Sequence, residues 1–284
     1  MTMKTIDEDV LAGYNAGIEK NRLFTDLGLI ELHRTKEILQ QMLPTTPAVI
    51  YDIGGGYGVY SFWLAELGYE TYLYDISETN IKMAIEMSAE KTHSLKTMEV
   101  ADARSIDRPY ATADVILLFG PMYHIVDYDE RQLCLNECSR LLKPGGLLFT
   151  AAITRYATLL WATTVYDKDN NLLDELPFYK MLEREITTGH HIKNPESTYK
   201  GIGRSYFHLP NELRSEIEAA GFKDTDIRGV IGPAWLTPDI CKVWTDEYKR
   251  ESLMRIVRLC EKEESILGLS THLLSISRKP GDIT

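Results

Sequence analysis

At 284 residues the chain has room for one large domain, or for one domain carrying an insertion. With 44% hydrophobic and 26% charged residues it reads as an ordinary globular protein, and a formal net charge of −11 argues against broad contact with phosphate backbones. The four cysteines, Cys134, Cys138, Cys241 and Cys260, follow neither a disulfide framework nor a zinc-ligand spacing, so the expectation is reduced thiols, no metal and a cytoplasmic protein.

The opening MTMKTIDEDVLAG carries acids where a secretory leader would carry its apolar core, so no leader is expected. The apolar stretch from Gly145 holds Arg155 near its middle, which costs a membrane span ~3 kcal/mol or more; no membrane partner is expected. Residues 8–43 read as helical, in two segments meeting near Gly28. Leu29, Leu32, Ile38, Leu39, Met42 and Leu43 fall on one side, and Pro44 and Pro47 end the run. Short apolar, β-branched runs at 48–53, 70–74, 96–100, 114–119 and 146–152 then alternate with amphipathic stretches at 58–67, 77–91 and 129–142. That alternation predicts an α/β fold with a parallel sheet covered by helices on both faces. From 154 to 206 the pattern loosens, as in a lid or substrate insertion. Regularity returns with a helix at 210–220, a strand at 225–231, a helix of about 24 residues from Pro238 and a closing strand at 270–279. The expected organisation is one domain: a helical cover at 1–47, a cofactor-binding core at 48–153, the insertion at 154–206 and completion of the core at 207–284.

The chemistry concentrates at the ends of the strands. The first strand runs into Asp52-Ile53, then Gly54, Gly56 and Gly58 form a G-x-G-x-G turn before a helix. Glycine there admits positive φ and removes the Cβ that would hold a ligand off the backbone. The following helix offers free N–H groups, and ligands of open α/β sheets bind beyond the carboxyl ends of the strands. A dinucleotide fingerprint, G-x-G-x-x-G, is not met: counting from Gly54 the third glycine position is Val59, and counting from Gly55 the second is Tyr57. Asp75, closing the second strand and followed by Ile76, suits paired ribose hydroxyls. Asp102, after the third strand, suits an adenine amino group with the Ala103 backbone alongside. Singly each has a plain alternative, as a turn residue or a helix-start acid.

Together the stretches YDIGGGYG, YLYD, VADAR, ADVILLFGPMYHI and LNECSRLLKPGGLLF resemble a class I S-adenosylmethionine-dependent methyltransferase over roughly residues 48–152. More narrowly, GPMYH, GHHIKNP, SYFHLPNEL and GPAW resemble a bacterial branch of small-molecule-methyltransferase-like proteins with no shared acceptor. The resemblance implies a Rossmann-like sheet of seven strands, mostly parallel, with the last strand antiparallel between the fifth and sixth. It implies S-adenosyl-L-methionine as cofactor, leaving as S-adenosyl-L-homocysteine. Gly54, Gly56 and Gly58 would flank its methionine part, with Asp52 near the amino group. Asp75 would hold the ribose, Asp102 the adenine, and Phe119 would lie by the reaction centre. Phe119-Gly120-Pro121-Met122-Tyr123 lacks the amide or acid of the adenine and glutamine methylases, which agrees with the charge in excluding nucleic acid as partner.

For the reaction itself, His124 is the candidate general base, with Tyr123 beside it to orient the acceptor, against the alternative that both only pack the loop. Arg155 after the fifth strand suits a carboxylate or phosphate, and its alternative is a salt bridge. Tyr14, Arg22, His191 and Tyr206 are further candidates for the acceptor side, with lid histidines expected at the surface. The leading expectation is O- or N-methylation of a small molecule. A nicotinamide-dependent oxidoreductase, a protein methyltransferase and a non-catalytic module stay open, as does the choice between monomer and homodimer.

Overall fold

The computed structural model describes residues 21–167 and 171–281, so the helical expectation over 8–20, Tyr14, and positions 168–170 of the insertion lie outside the described residues. A 3-10 turn at Arg22–Phe24 leads into α1 (Asp26–Met42), and the chain bends at Thr25, which is extended. Gly28 therefore lies inside α1 and does not divide two helices. A Cβ there would sit 2.0 Å from the Arg22 carbonyl oxygen, so this glycine allows the turn to close against the helix.

Five parallel strands follow: β1 (Val49–Ile53), β2 (Glu70–Asp75), β3 (Thr97–Val100), β4 (Ala113–Leu118) and β5 (Leu142–Ile153). Their crossovers contain α2 (Val59–Glu66), α3 (Glu78–Ser88), the single turn α4 (Pro121–His124) and α5 (Tyr128–Leu141). The starts of α3 and α5 are written in the sequence. Ser77 accepts from the Asn80 amide, and Asp127 accepts from the Asp129 and Glu130 amides. The insertion contains α6 (Ala157–Val165), a 3-10 turn at Leu172–Asp174, α7 (Leu176–Thr188) and a small hairpin of β6 (His190–His191) with β7 (Ser205–Tyr206).

The chain then returns through α8 (Pro210–Ala219), β8 (Lys223–Gly229), α9 (Ile240–Thr245), α10 (Glu247–Cys260), α11 (Glu264–Leu267) and β9 (His272–Arg278). The single long helix expected from Pro238 is two, because Asp246 breaks the run and caps α10 by accepting from the Lys249 amide. The sheet order is β3-β2-β1-β4-β5-β9-β8, with β9 antiparallel to both neighbours. This is the expected seven-stranded α/β sheet. One face packs α5 and α8 through Leu135, Leu141, Leu213 and Ile217. The other packs α1, α2 and α10 through Ile30, Ile38, Leu64 and Met254. Among the described residues no helix is long and apolar enough to cross a membrane.

Candidate active site

Beyond the carboxyl ends of β1, β2, β4 and β5 lies a cavity of about 340 Å³. Its floor is the glycine turn. Gly54 and Gly56 have φ of +75° and +60°, and a Cβ on Gly54 would lie 2.6 Å from Pro121 Cδ. The turn is tied to β2 by Gly54 and Gly55 N–H donating to the Tyr74 carbonyl (2.7 and 3.3 Å) and by Gly56 N–H donating to Asp75 Oδ2 (2.8 Å). Asp75 Oδ1 accepts from the Ser77 amide (2.9 Å) and Asn80 Nδ2 (3.1 Å), so three donors fix a carboxylate that faces the cavity.

Asp52 and Gly58 lie beneath the turn, outside the described cavity wall. A Cβ on Gly55 would sit 2.5 Å from Asp52 Cγ. Asp52 is fully buried. Its Oδ2 accepts from Ser61 Oγ at 2.6 Å, and Oδ1 has no donor among the described residues. Burial, helped by the neighbouring Asp75 charge and opposed by the Ser61 hydrogen bond, pushes its carboxyl up to about 7.

Asp102, Ala103 and Ile76 line the opposite end. Both Asp102 oxygens are bridged by Arg104, whose Nε and Nη2 lie 2.9 and 2.5 Å away, and Arg104 Nη1 reaches Glu130 Oε2 at 2.6 Å. Burial works to raise the Asp102 carboxyl, but the Arg104 hydrogen bonds outweigh it and hold it below the usual range. Arg104 and Glu130 were missed by sequence reasoning, although the -Asp-Ala-Arg- spacing already put an opposite charge two residues from Asp102.

Phe119 closes the middle of the cavity, edge-on to Tyr60 with centroids 5.3 Å apart. The two residues expected to do the chemistry sit here too. Tyr123 Oη donates to the Phe119 carbonyl at 2.8 Å, so it staples the turn after β4. His124 lines the cavity, yet burial and the Arg22 charge push its imidazole down to about 3. It stays neutral near pH 7.

A polar corner completes the wall, of which sequence reasoning found Arg22 but not Glu31 or His272. Arg22 donates to Glu31 through two contacts, at 2.7 and 3.1 Å, and His272 Nε2 lies 3.5 Å from Glu31 Oε2. Of the described residues expected on the acceptor side, only Arg22 is brought here. Arg155 is buried against Glu212 of α8, with its Nη2 2.5 Å from Oε1. Tyr206 lies under the Arg131 guanidinium, 3.9 Å from ring centroid to Cζ. His191, expected at the surface, is fully buried: its Nδ1 lies 2.6 Å from Glu185 Oε2 and its ring stacks on Phe207. The aromatics of the insertion, Trp161, Phe178 and Tyr199, pack on one another, and of the insertion's described residues Arg204 alone lines the cavity.

The methyltransferase-domain family model matches residues 51–150, which run from β1 through the turn, Asp75, Asp102 and Phe119 to β5. Over those residues the chain carries a class I S-adenosylmethionine-dependent methyltransferase domain. With that, the nicotinamide reading falls. The chain is 30% identical over 186 residues to the ubiquinone biosynthesis O-methyltransferase of Sinorhizobium fredii, covering 64% of this chain and 62% of that protein. It is 32% identical over 112 residues to the protein of the same name from Caulobacter vibrioides, covering 39% and 43%. The matches thus span less than two thirds of the length of these curated relatives. In structure it is similar to the S-adenosylmethionine-dependent methyltransferase of Methanosarcina mazei, with a TM-score of 0.57 at 17% identity over 86% of this chain and 98% of that one. It is also similar to phosphoethanolamine N-methyltransferase 2 of Haemonchus contortus, solved with S-adenosylhomocysteine, with a TM-score of 0.53 at 15% identity over 87% and 52%. At these identities the likeness is one of fold.

Proposed function

We propose that the protein transfers the methyl group of S-adenosylmethionine to a hydroxyl oxygen of a small, largely apolar acceptor. What carries the reading is the line of anchors along one cavity: bare backbone at Gly54–Gly56, the three-fold fixed carboxylate of Asp75, and Asp102 with Ala103. In this reading Asp75 takes the ribose hydroxyls and Asp102 the adenine amino group. The Oδ1 of Asp52, without a described donor, supports a cationic amino group above the turn, and Gly58 shapes the start of α2. The cofactor supplies an activated methyl group on a good leaving group. The chain's task is then to orient the acceptor and exclude water, which contributes ~7–11 kcal/mol when alignment is good. The acceptor side, walled by Phe119, Val230, Leu273 and Leu274 around a few polar groups, suits an apolar molecule held at one polar point. The relatives' name favours oxygen over nitrogen. Small-molecule action, the division into cover, core, insertion and completion, and a site formed within one chain all belong to this proposal. Calorimetry with S-adenosylmethionine and S-adenosylhomocysteine tests it, followed by a metabolite-extract screen with radiolabelled methyl donor. Binding plus a labelled small product is expected. Label entering only protein, or none transferred despite binding, would favour a protein methyltransferase or a non-catalytic module.

A further inference from the structure

The polar corner offers the proposed hydroxyl a proton acceptor other than His124, whose imidazole is lowered by its surroundings and the Arg22 charge. β9 runs antiparallel to β5 with His272 opposite Ile153, so the first residue of β9 stands at the same carboxyl edge where β1, β4 and β5 end. Glu31 reaches that edge from α1. Its Oε2 accepts from Arg22 Nη1 at 2.7 Å and faces His272 Nε2 at 3.5 Å. Arg22, Glu31 and His272 all line the cavity beside Leu273 and Leu274. A carboxylate pinned by a guanidinium on one side and facing an imidazole on the other is an arrangement that orients a histidine and stabilises its protonated form.

We propose that His272 is the general base of the methyl transfer and that Glu31 is its positioning residue. The inference rests on reading the cavity as an O-methylation site. In the step, the acceptor O–H bond breaks and its proton goes to the His272 imidazole. The oxygen lone pair forms the new O–CH₃ bond, the electron pair of the broken S–CH₃ bond stays on sulfur, and the sulfonium becomes a neutral thioether. The imidazolium, held beside Glu31, then returns the proton to water. This chemistry selects the acceptor class. A phenolic hydroxyl sits roughly 3.5 pKa units above an imidazole, a gap a positioned base can span, whereas an aliphatic alcohol lies far beyond it. The acceptor is therefore a phenol or an enol. The attraction between His272 and Glu31, together with Arg22, also holds the Glu31 carboxyl below its usual range against the effect of burial. Arg22 and Arg204, which line the same cavity, would favour a phenolate by charge alone, so the test must separate them from His272.

The full-length protein saturated with S-adenosylhomocysteine is mixed with 4-nitrophenol, whose ionised form absorbs in the visible, at a pH where the free probe is mostly neutral. The wild type is expected to bind the probe and show the phenolate band. H272Q and H272N are expected to lose at least tenfold of that band, and E31Q to reduce it by a smaller factor, while all three keep their affinity for S-adenosylhomocysteine within about threefold. No band in the wild type, or an undiminished band in both histidine variants, overturns the proposal, and an unchanged band in E31Q removes Glu31 from it. If His272 and Glu31 only tie α1 to β9, stability drops in the variants and the band does not. Failure of the wild type to bind S-adenosylhomocysteine instead removes the underlying function reading, so the two failures are distinct.

Discussion

Two acids at the glycine turn, Asp52 and Asp75, sit in opposite situations and lead to different predictions. Asp75 receives three hydrogen bonds and lines the cavity, so D75N should weaken S-adenosylmethionine binding. Hydrogen bonds to a charged group contribute about 1.5–3 kcal/mol each, so a loss of roughly 10- to 100-fold by calorimetry is expected. An affinity within threefold of wild type would exclude Asp75 from the ribose site. Asp52 is buried with a carboxyl pushed up to about 7, far above the ~3.9 of an exposed aspartate in the unfolded chain. Between those values the folded protein keeps a proton that the unfolded chain has released. The Asp52 contribution to stability is thus fully present below about pH 4 and is lost as pH rises through 7, at about 1.4 kcal/mol per pH unit. D52N removes that slope. The stability of D52N relative to wild type, from urea titrations at pH 5, 6 and 7, should therefore rise with pH, and a flat difference would contradict the assignment.

At the scale of elements, Arg131 of α5 is the junction between the loop that carries the site and the rest of the chain. It donates to both oxygens of Glu216 on α8, at 2.8 and 2.6 Å, and to the carbonyls of Ile125 and Val126, and its guanidinium covers Tyr206 of β7. Both partners of the ion pair are buried. Burial works against the Glu216 carboxylate, but Arg131 and His208 outweigh it and hold it down at about 2. R131M leaves that charge with His208 but without its guanidinium partner and should cost about 3–5 kcal/mol in chemical denaturation, while R131M/E216L should recover most of it. The insertion is a separate element with its own core around Phe178, Met181 and Leu182, locked by Glu185 accepting from Thr158 and facing His191. E185A should open residues 154–206 to proteolysis while leaving S-adenosylhomocysteine affinity within threefold. A parallel loss of affinity would show that the insertion acts as the lid expected from its length.

These elements also show what the sequence could convey. The parallel strands were legible because burial on both faces leaves an unbroken apolar run, and the turn, Asp75, Asp102 and Phe119 were legible because each lies within a few residues of a strand end. Glu31 and His272 come from positions 241 residues apart, and only the reversal of β9 brings them together, although an acid among the apolar positions of α1 was a local sign. His124 was visible as a site residue, but the surroundings and the Arg22 charge that lower its imidazole were not. His191 and Tyr206 of the insertion looked like acceptor groups because sequence shows their type and not the direction in which they pack.

The whole molecule converges on one cavity from distant parts of the chain: Arg22 and Glu31 from its beginning, the ends of β1, β2 and β4 from its middle, and His272–Leu274 from its last strand. In the proposed pose the cofactor rests on the strand-end anchors while the N-terminal flank and the C-terminal strand wall the acceptor side, so the complete cavity exists only where all three are assembled. Ligand that binds only the folded state stabilises it by RT ln(1 + [L]/Kd), about 2.7 kcal/mol at a hundredfold excess over Kd, which for a chain of this size corresponds to a rise of roughly 5–10 °C in Tm. Thermal scans with S-adenosylhomocysteine should therefore shift one cooperative transition upward, with D75N needing at least tenfold more ligand for the same shift. The E185A variant, by contrast, should shift as far as wild type, because the insertion contributes little to that wall. If the ligand raised only a minor, early transition, the cavity would belong to a locally unfolding unit, and the view of it as the meeting point of both ends of the chain would fail.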